Sequence, residues 1–158
     1  MSFIEVSGRC KDEYKLLAKQ VAENVIILMN FPDNLEVAID FVSEKEIQRL
    51  NREFRNIDRV TDVLSFPSFQ LVAGEVLNEN DEAVSAFILD NGLIHFGDMA
   101  ICLKQCERQA KEYENSVKAE IKKLVIHSML HLMGYDHIKD EDYVIMKEKE
   151  EKLDKLID

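Results

Sequence analysis

Long apolar runs are missing from this chain, and so is a basic start leading into an apolar stretch. Those two absences exclude a membrane-spanning segment and an export signal from the expected features, leaving a cytoplasmic location and no membrane partner. Cysteine is scarce and unpaired. Cys10, Cys102 and Cys106 are odd in number and form no Cys-x-x-Cys pair, which argues against a disulfide framework and a thiolate zinc site. Basic charge is also short: 20 Lys and Arg face 31 Asp and Glu, a formal net charge of −11. A broad basic face for nonspecific nucleic-acid binding is excluded on that balance, and DNA is not an expected partner. No repeat, low-complexity tract or linker interrupts residues 1–158. A single domain is expected, large enough to bury a core without covalent staples.

The charge that is present is unevenly placed. Arg49, Arg52, Arg55 and Arg59 fall within eleven residues, while eight acidic side chains collect in residues 140–158. Such a cluster is expected to form a solvated helix face of mixed charge, with a local basic cleft left open as the alternative.

Apolar residues at helical spacing (Leu16, Leu17, Val21, Val25, Leu28) predict a helix over 11–29, closed by Pro32. Alternation then predicts a strand over 35–42 with Leu35, Val37, Ile39 and Phe41 on one face. Ser43 and Glu46 have capping-box spacing and start a second helix that carries Ile47, Leu50 and Phe54 inward. A short strand over 61–67 is stopped by Pro67. Residues 68–92 give no firm signal, although the acidic stretch 78–82 suggests an exposed loop or hairpin. Strand character returns over 93–102, interrupted at Gly97 and Asp98 by a bulge or a close approach. Helices are expected over 103–113 and 116–133, and a last one from Asp140, as its cap, through Leu156 with Tyr143, Met146 and Leu153 on its apolar side. The fold class is α+β: a small mixed sheet packed with about five helices.

Three of the four histidines, His127, His131 and His137, lie within eleven residues. His127 and His131 are four apart on the predicted helix, about 40° apart around its axis and one turn along it, so both imidazoles reach one ion. Gly134 supplies the left-handed residue that ends a helix and lets the chain return with His137. Three neutral nitrogen ligands with a fourth position free are the expected arrangement of catalytic zinc, one ion per chain. Asp136 is placed either to orient His137 or to form the turn, and His95 lies apart as an exposed or hydrogen-bonded residue.

The spacing His-x-x-x-His-x-x-Gly-x-x-His is also the ligand skeleton of the metzincin proteases, whose general base is a glutamate after the first histidine. Here that residue is Ser128. A hydroxyl cannot take a proton near neutral pH, so a zinc protease is the weaker alternative. Met146 is a core methionine rather than a Met-turn.

A closer resemblance is to the YbeY family of bacterial endoribonucleases, which act in ribosomal RNA maturation. It is carried by the block from His127 to His137, by Phe54-Arg55 followed by Thr61-Asp62-Val63-Leu64-Ser65-Phe66-Pro67, and by Gly97-Asp98. The chain departs from the family pattern at Ser128, usually glycine, at Val60, often proline, and in the length of 68–92. The resemblance implies a zincin-like metal site of His127, His131 and His137 on a helix and its following turn, with Arg55 and His127 as catalytic residues. It implies a metal-dependent endoribonuclease specific for single strands, acting at the 3′ end of small-subunit ribosomal RNA and in ribosome quality control. The implied partners are ribosomal RNA and small-subunit proteins. A guanidinium fork and a divalent ion both stabilise charge gathered on a phosphodiester under attack. Ser65 and Asp98 are positioning groups at most. A ribosome-associated assembly factor without catalysis is the remaining alternative.

Overall fold

The computed structural model describes residues 2–158. Four strands and six helices follow one another along them, alternating as far as β4 and ending in three helices: β1 (Phe3–Gly8), α1 (Asp12–Leu28), β2 (Leu35–Val42), α2 (Glu44–Arg55), β3 (Val63–Pro67), α3 (Glu82–Ser85), β4 (Ile94–Cys102), α4 (Leu103–Glu112), α5 (Val117–Leu132) and α6 (Asp140–Leu156). The sheet has the order β1-β2-β4-β3, with β1, β2 and β4 parallel and β3 antiparallel along β4. This is the expected mixed α+β architecture. The helix beyond the expected five is α3, one turn inside the stretch whose sequence gave no firm signal.

Parallel strands need a crossover, and α1 supplies it between β1 and β2. Its buried face is Ala18, Val21, Ala22, Val25 and Ile26, while Leu16 and Leu28, expected inward, are exposed. Two alanines on the packed face allow close approach, and the leucines fall to either side of it. On β2 the alternation holds, with Leu35, Val37, Ile39 and Phe41 all in the main core.

α5 lies across the same side of the sheet and is buried on almost every face, with Ile121, Leu124, Val125, Ser128, Met129 and Leu132 all enclosed. Its approach depends on β4. Glu36 pairs with His95 but Val37 pairs with Gly97, so Phe96 is an extra residue in β4 and the inward set shifts from Ile94 and Phe96 to Met99 and Ile101. A Cβ on Gly97 would lie 2.7 Å from a Leu132 methyl and 2.9 Å from the Phe66 carbonyl oxygen. Bulge and close approach, offered as alternatives by the sequence, occur together.

The opposite side of the sheet is covered by α2 and by Val60 beyond it, through a small cluster of Ile47, Leu64, Ala100 and Cys102. Ser43 caps α2 by accepting from the Glu46 amide at 3.1 Å, as its spacing predicts. The expected inward stripe then fails along its length: Ile47 is buried, Leu50 is half-buried and Phe54 is exposed. Asn51 takes the last enclosed position, donating to the Arg59 carbonyl at 3.0 Å. In α6, Met146 and Leu153 are buried as expected, whereas Tyr143 is half exposed. Asp140 is the first residue of α6 and not its cap; that position is Lys139, with no capping side chain. The thiols are free, Cys102 and Cys106 buried and Cys10 partly so. No helix among the described residues is long and apolar enough to cross a membrane.

Candidate metal centre and its cleft

The end of α5 is built by a Schellman turn. Gly134 takes φ 98° and donates to the His131 carbonyl at 3.1 Å, while the Tyr135 amide donates to the Leu130 carbonyl at 3.0 Å. A side chain at Gly134 would be excluded twice, by the left-handed backbone and by the Leu71 carbonyl oxygen, 2.4 Å from a built Cβ. Leu71 belongs to the long segment after β3. That segment therefore buttresses the turn, and Phe69, Gln70 and Leu71 line the cleft beside it.

The same turn orients the histidines. His131 Nδ1 donates at 2.9 Å to the Tyr135 carbonyl, which can only accept, so the ring's Nε2 carries the lone pair. His127 Nδ1 lies 2.5 Å from Glu150 Oε1, a carboxylate brought across by α6, which fixes the second ring in the same tautomer. The two Nε2 atoms then face each other at 3.0 Å. Two lone pairs at that separation repel unless a proton or a metal ion lies between them. His137 closes the group, its ring 5.1 Å from that of His131 and 5.5 Å from that of His127. One ligand atom from each of the three lies within 4.8 Å of the others, so the group could hold a metal ion. Burial, reinforced by the neighbouring His127, pushes the His131 pKa down to about 4, against the opposing pull of the Tyr135 carbonyl. A neutral imidazole is the ligating form.

Ser128 faces away from this group. It is fully buried, and its hydroxyl shares a 2.7 Å hydrogen bond with the Ser65 hydroxyl of β3. Its role is to bond α5 to the edge strand. Asp136 accepts from the Ile138 amide at 3.3 Å, the turn role rather than a bond to His137. Asp98 lies with His95, accepting from it at 3.1 Å, and Glu36 meets the ring's other nitrogen at 2.9 Å. Burial lowers the His95 pKa, but the two carboxylates together outweigh it and the net shift is upward.

A cleft of about 1050 Å³ runs across the open edge of β3, lined on one side by His127, His131 and His137 and on the other by Phe54 and Arg55. Only Arg55 of the four clustered arginines lines it. Arg49 is held by Glu46 and Glu53, and Arg52 by Asp58. The mixed-charge helix face expected of the cluster is what forms, with one guanidinium turned into the cleft, since residues three apart fan around a helix. The Arg55 side chain has no hydrogen bond or ion pair among the described residues.

At a further part of the cleft, Gln109 donates at 3.2 Å both to Asp62 and to the buried Glu120. Sequence reasoning missed this clamp, and it missed Glu150. One acid among eight in a solvated helix carries no local signal, and only the crossing of α6 over α5 selects it.

The family model described as endoribonuclease YbeY matches residues 4–157 of the chain. A relative of that name from Finegoldia magna is 47% identical over 118 residues, which are 75% of this chain and 66% of the relative. Another, from Thermoanaerobacter pseudethanolicus, is 40% identical over 141 residues, 87% of this chain and 83% of the relative. Among solved structures, a Thermotoga maritima protein determined in solution superposes with a TM-score of 0.64 at 29% identity, over 98% of this chain and 89% of that one. A match over nearly the whole length, together with relatives well above 30% identity, places the chain in the YbeY endoribonuclease family.

Proposed function

We propose that the chain acts as one domain and is a metal-dependent endoribonuclease of ribosomal RNA maturation, cutting single-stranded RNA at the 3′ end of small-subunit RNA in the cytoplasm. The observation that carries the metal is the pair of facing Nε2 atoms at 3.0 Å with the His137 ring beside them, the first two rings each oriented by an acceptor on the other nitrogen. His127, His131 and His137 hold the ion, and three imidazoles with a carboxylate behind one of them suit zinc. When bound, the ion supplies Lewis-acid stabilisation of charge on a phosphoryl oxygen and an acidified water.

The remaining work belongs to the chain. Arg55, unpaired across the cleft, binds the phosphodiester through two parallel N–H donors and stabilises the negative charge that grows on its nonbridging oxygens. Glu150 and the Tyr135 carbonyl keep the His127 and His131 rings from turning. The helix-and-turn group beside an open edge strand is of zincin type, but Ser128, at the sequence position of the protease base, is a hydroxyl buried against Ser65. That favours phosphodiester over peptide as substrate. Ribosomal RNA and small-subunit proteins are the partners.

The test is elemental analysis of the purified protein, paired with cleavage of a single-stranded ribosomal RNA fragment with and without chelator. Zinc near one ion per chain and chelator-sensitive cutting are expected. His127→Ala should lose both metal and cleavage, and Arg55→Glu should keep the metal and lose cleavage. A zinc-loaded protein that binds ribosomes and never cuts RNA would sink the nuclease in favour of an assembly factor.

A further inference from the structure

Phe54 stands out among the residues of the cleft. It is 63% exposed, although it ends the apolar stripe of α2 and its sequence position marks it for the core. The last turn of α2 carries that stripe beyond its packed part and into the cleft, one residue before the unpaired Arg55. The ring is nevertheless held: Phe66 on β3 meets it at 5.2 Å between centroids and 71° between planes. Tyr113, the other exposed aromatic of the cleft, already carries the Lys123 ammonium 5.5 Å from its ring centroid. Phe54 carries none.

An exposed aromatic ring, fixed by a neighbour and adjacent to a phosphate-seeking guanidinium, has the composition of a single-strand nucleic-acid site. Phosphate contacts hold the backbone, and the ring takes a base on its face. A base can stack on protein only if it has left its own helix. Resting on the assignment of RNA as substrate, we propose that Phe54 is a stacking platform for one unpaired base next to the phosphate held by Arg55, and that this contact gives the cleft its selectivity for single strands. Phe54 binds substrate and takes no part in proton transfer. Its loss therefore acts on the Michaelis constant, because a contact made equally in ground and transition states is uniform binding.

The experiment uses the zinc-loaded full chain and a short single-stranded RNA, intact or with one abasic nucleotide placed in turn around the cut. Binding is followed by the fluorescence of 2-aminopurine at the same positions, and cleavage by kcat and KM. Phe54→Ala is expected to raise Kd and KM about tenfold, with kcat close to wild type. An abasic nucleotide at one position should cost wild type a similar factor and cost Phe54→Ala nothing more. Phe54→Leu keeps an apolar contact with Phe66 and the thermal stability, so it separates stacking from support: it should bind as weakly as alanine, while Phe54→Tyr binds as wild type. Annealing the RNA to its complement should abolish the dependence on Phe54. Independent, additive losses at every abasic position, or Leu matching wild type in Kd, would overturn the platform. RNA bound with the Phe54 dependence but never cut would leave the platform standing and remove the nuclease; cutting without that dependence would do the reverse.

Discussion

The two walls of the cleft are built on opposite plans. On the α5 wall, His131 is tied to the Tyr135 carbonyl, His127 to Glu150, and the turn after His131 is closed by Gly134 against Leu71. On the α2 wall, the Arg55 side chain has no partner among the described residues and Phe54 is exposed. The difference follows from what each wall meets. A metal site must hold its ligands before the ion arrives, since rings free to turn lose affinity, whereas a wall facing a long flexible substrate gains by leaving its charge and its ring uncommitted.

The sharpest way to break this contrast is to remove a ligand. His131→Ala should abolish stoichiometric metal binding and lower RNA cleavage by about 10³-fold or more, as read by elemental analysis and cleavage kinetics. On the other wall, Arg55→Ala should leave metal content unchanged and lower kcat/KM by about 10²- to 10³-fold. Arg55→Lys should recover only part of the loss, because an ammonium cannot reproduce the fork. If Arg55→Ala lost its metal, the walls would not be separable.

Glu150→Gln tests the support behind His127. Its metal affinity should fall about 10- to 100-fold in a competition titration with a zinc indicator, with melting temperature near wild type under saturating metal. Ser128→Ala is expected to show the converse, a stability loss of about 1 kcal/mol in urea with unchanged metal affinity, since its hydroxyl bonds Ser65 and not the site.

The smallest effect is expected away from both walls. His95 has a pKa raised in the folded protein, so its bonds to Glu36 and Asp98 contribute stability that is full below the unfolded value and is lost as pH rises through the folded one. The melting-temperature gap between wild type and His95→Gln should therefore be larger at pH 6 than at pH 9. A gap that widened with pH would show that the ring is held as the neutral form.

Much of the scaffold of the metal wall was legible in the chain. His127 and His131 share a face because they are one helical turn apart, and Gly134 ends the helix because it alone takes φ 98° there without strain. The bounds of β2 and the cap at Ser43 were legible for the same reason: their causes lie within a few neighbouring residues. Phe54 was misread because the apolar stripe of α2 follows helical spacing to its end, while the last turn runs into the cleft, where Phe66 of the edge strand meets the ring and leaves most of it exposed. Leu16 and Tyr143 failed in the same manner, as apolar side chains at suitable spacing on helices whose packed faces lie elsewhere.

By itself, then, the sequence determined five of the helices, the strands β2, β3 and β4 and the turn after α5, and hence that three imidazoles gather at one helix end. Those are short-range matters of backbone geometry and spacing. Only the tertiary structure decided that Glu150 stands behind His127, that Ser128 bonds the edge strand, and that Arg55 alone of its cluster enters the cleft. Such choices depend on how elements distant in the chain cross in space, and no local pattern of residues encodes the crossing.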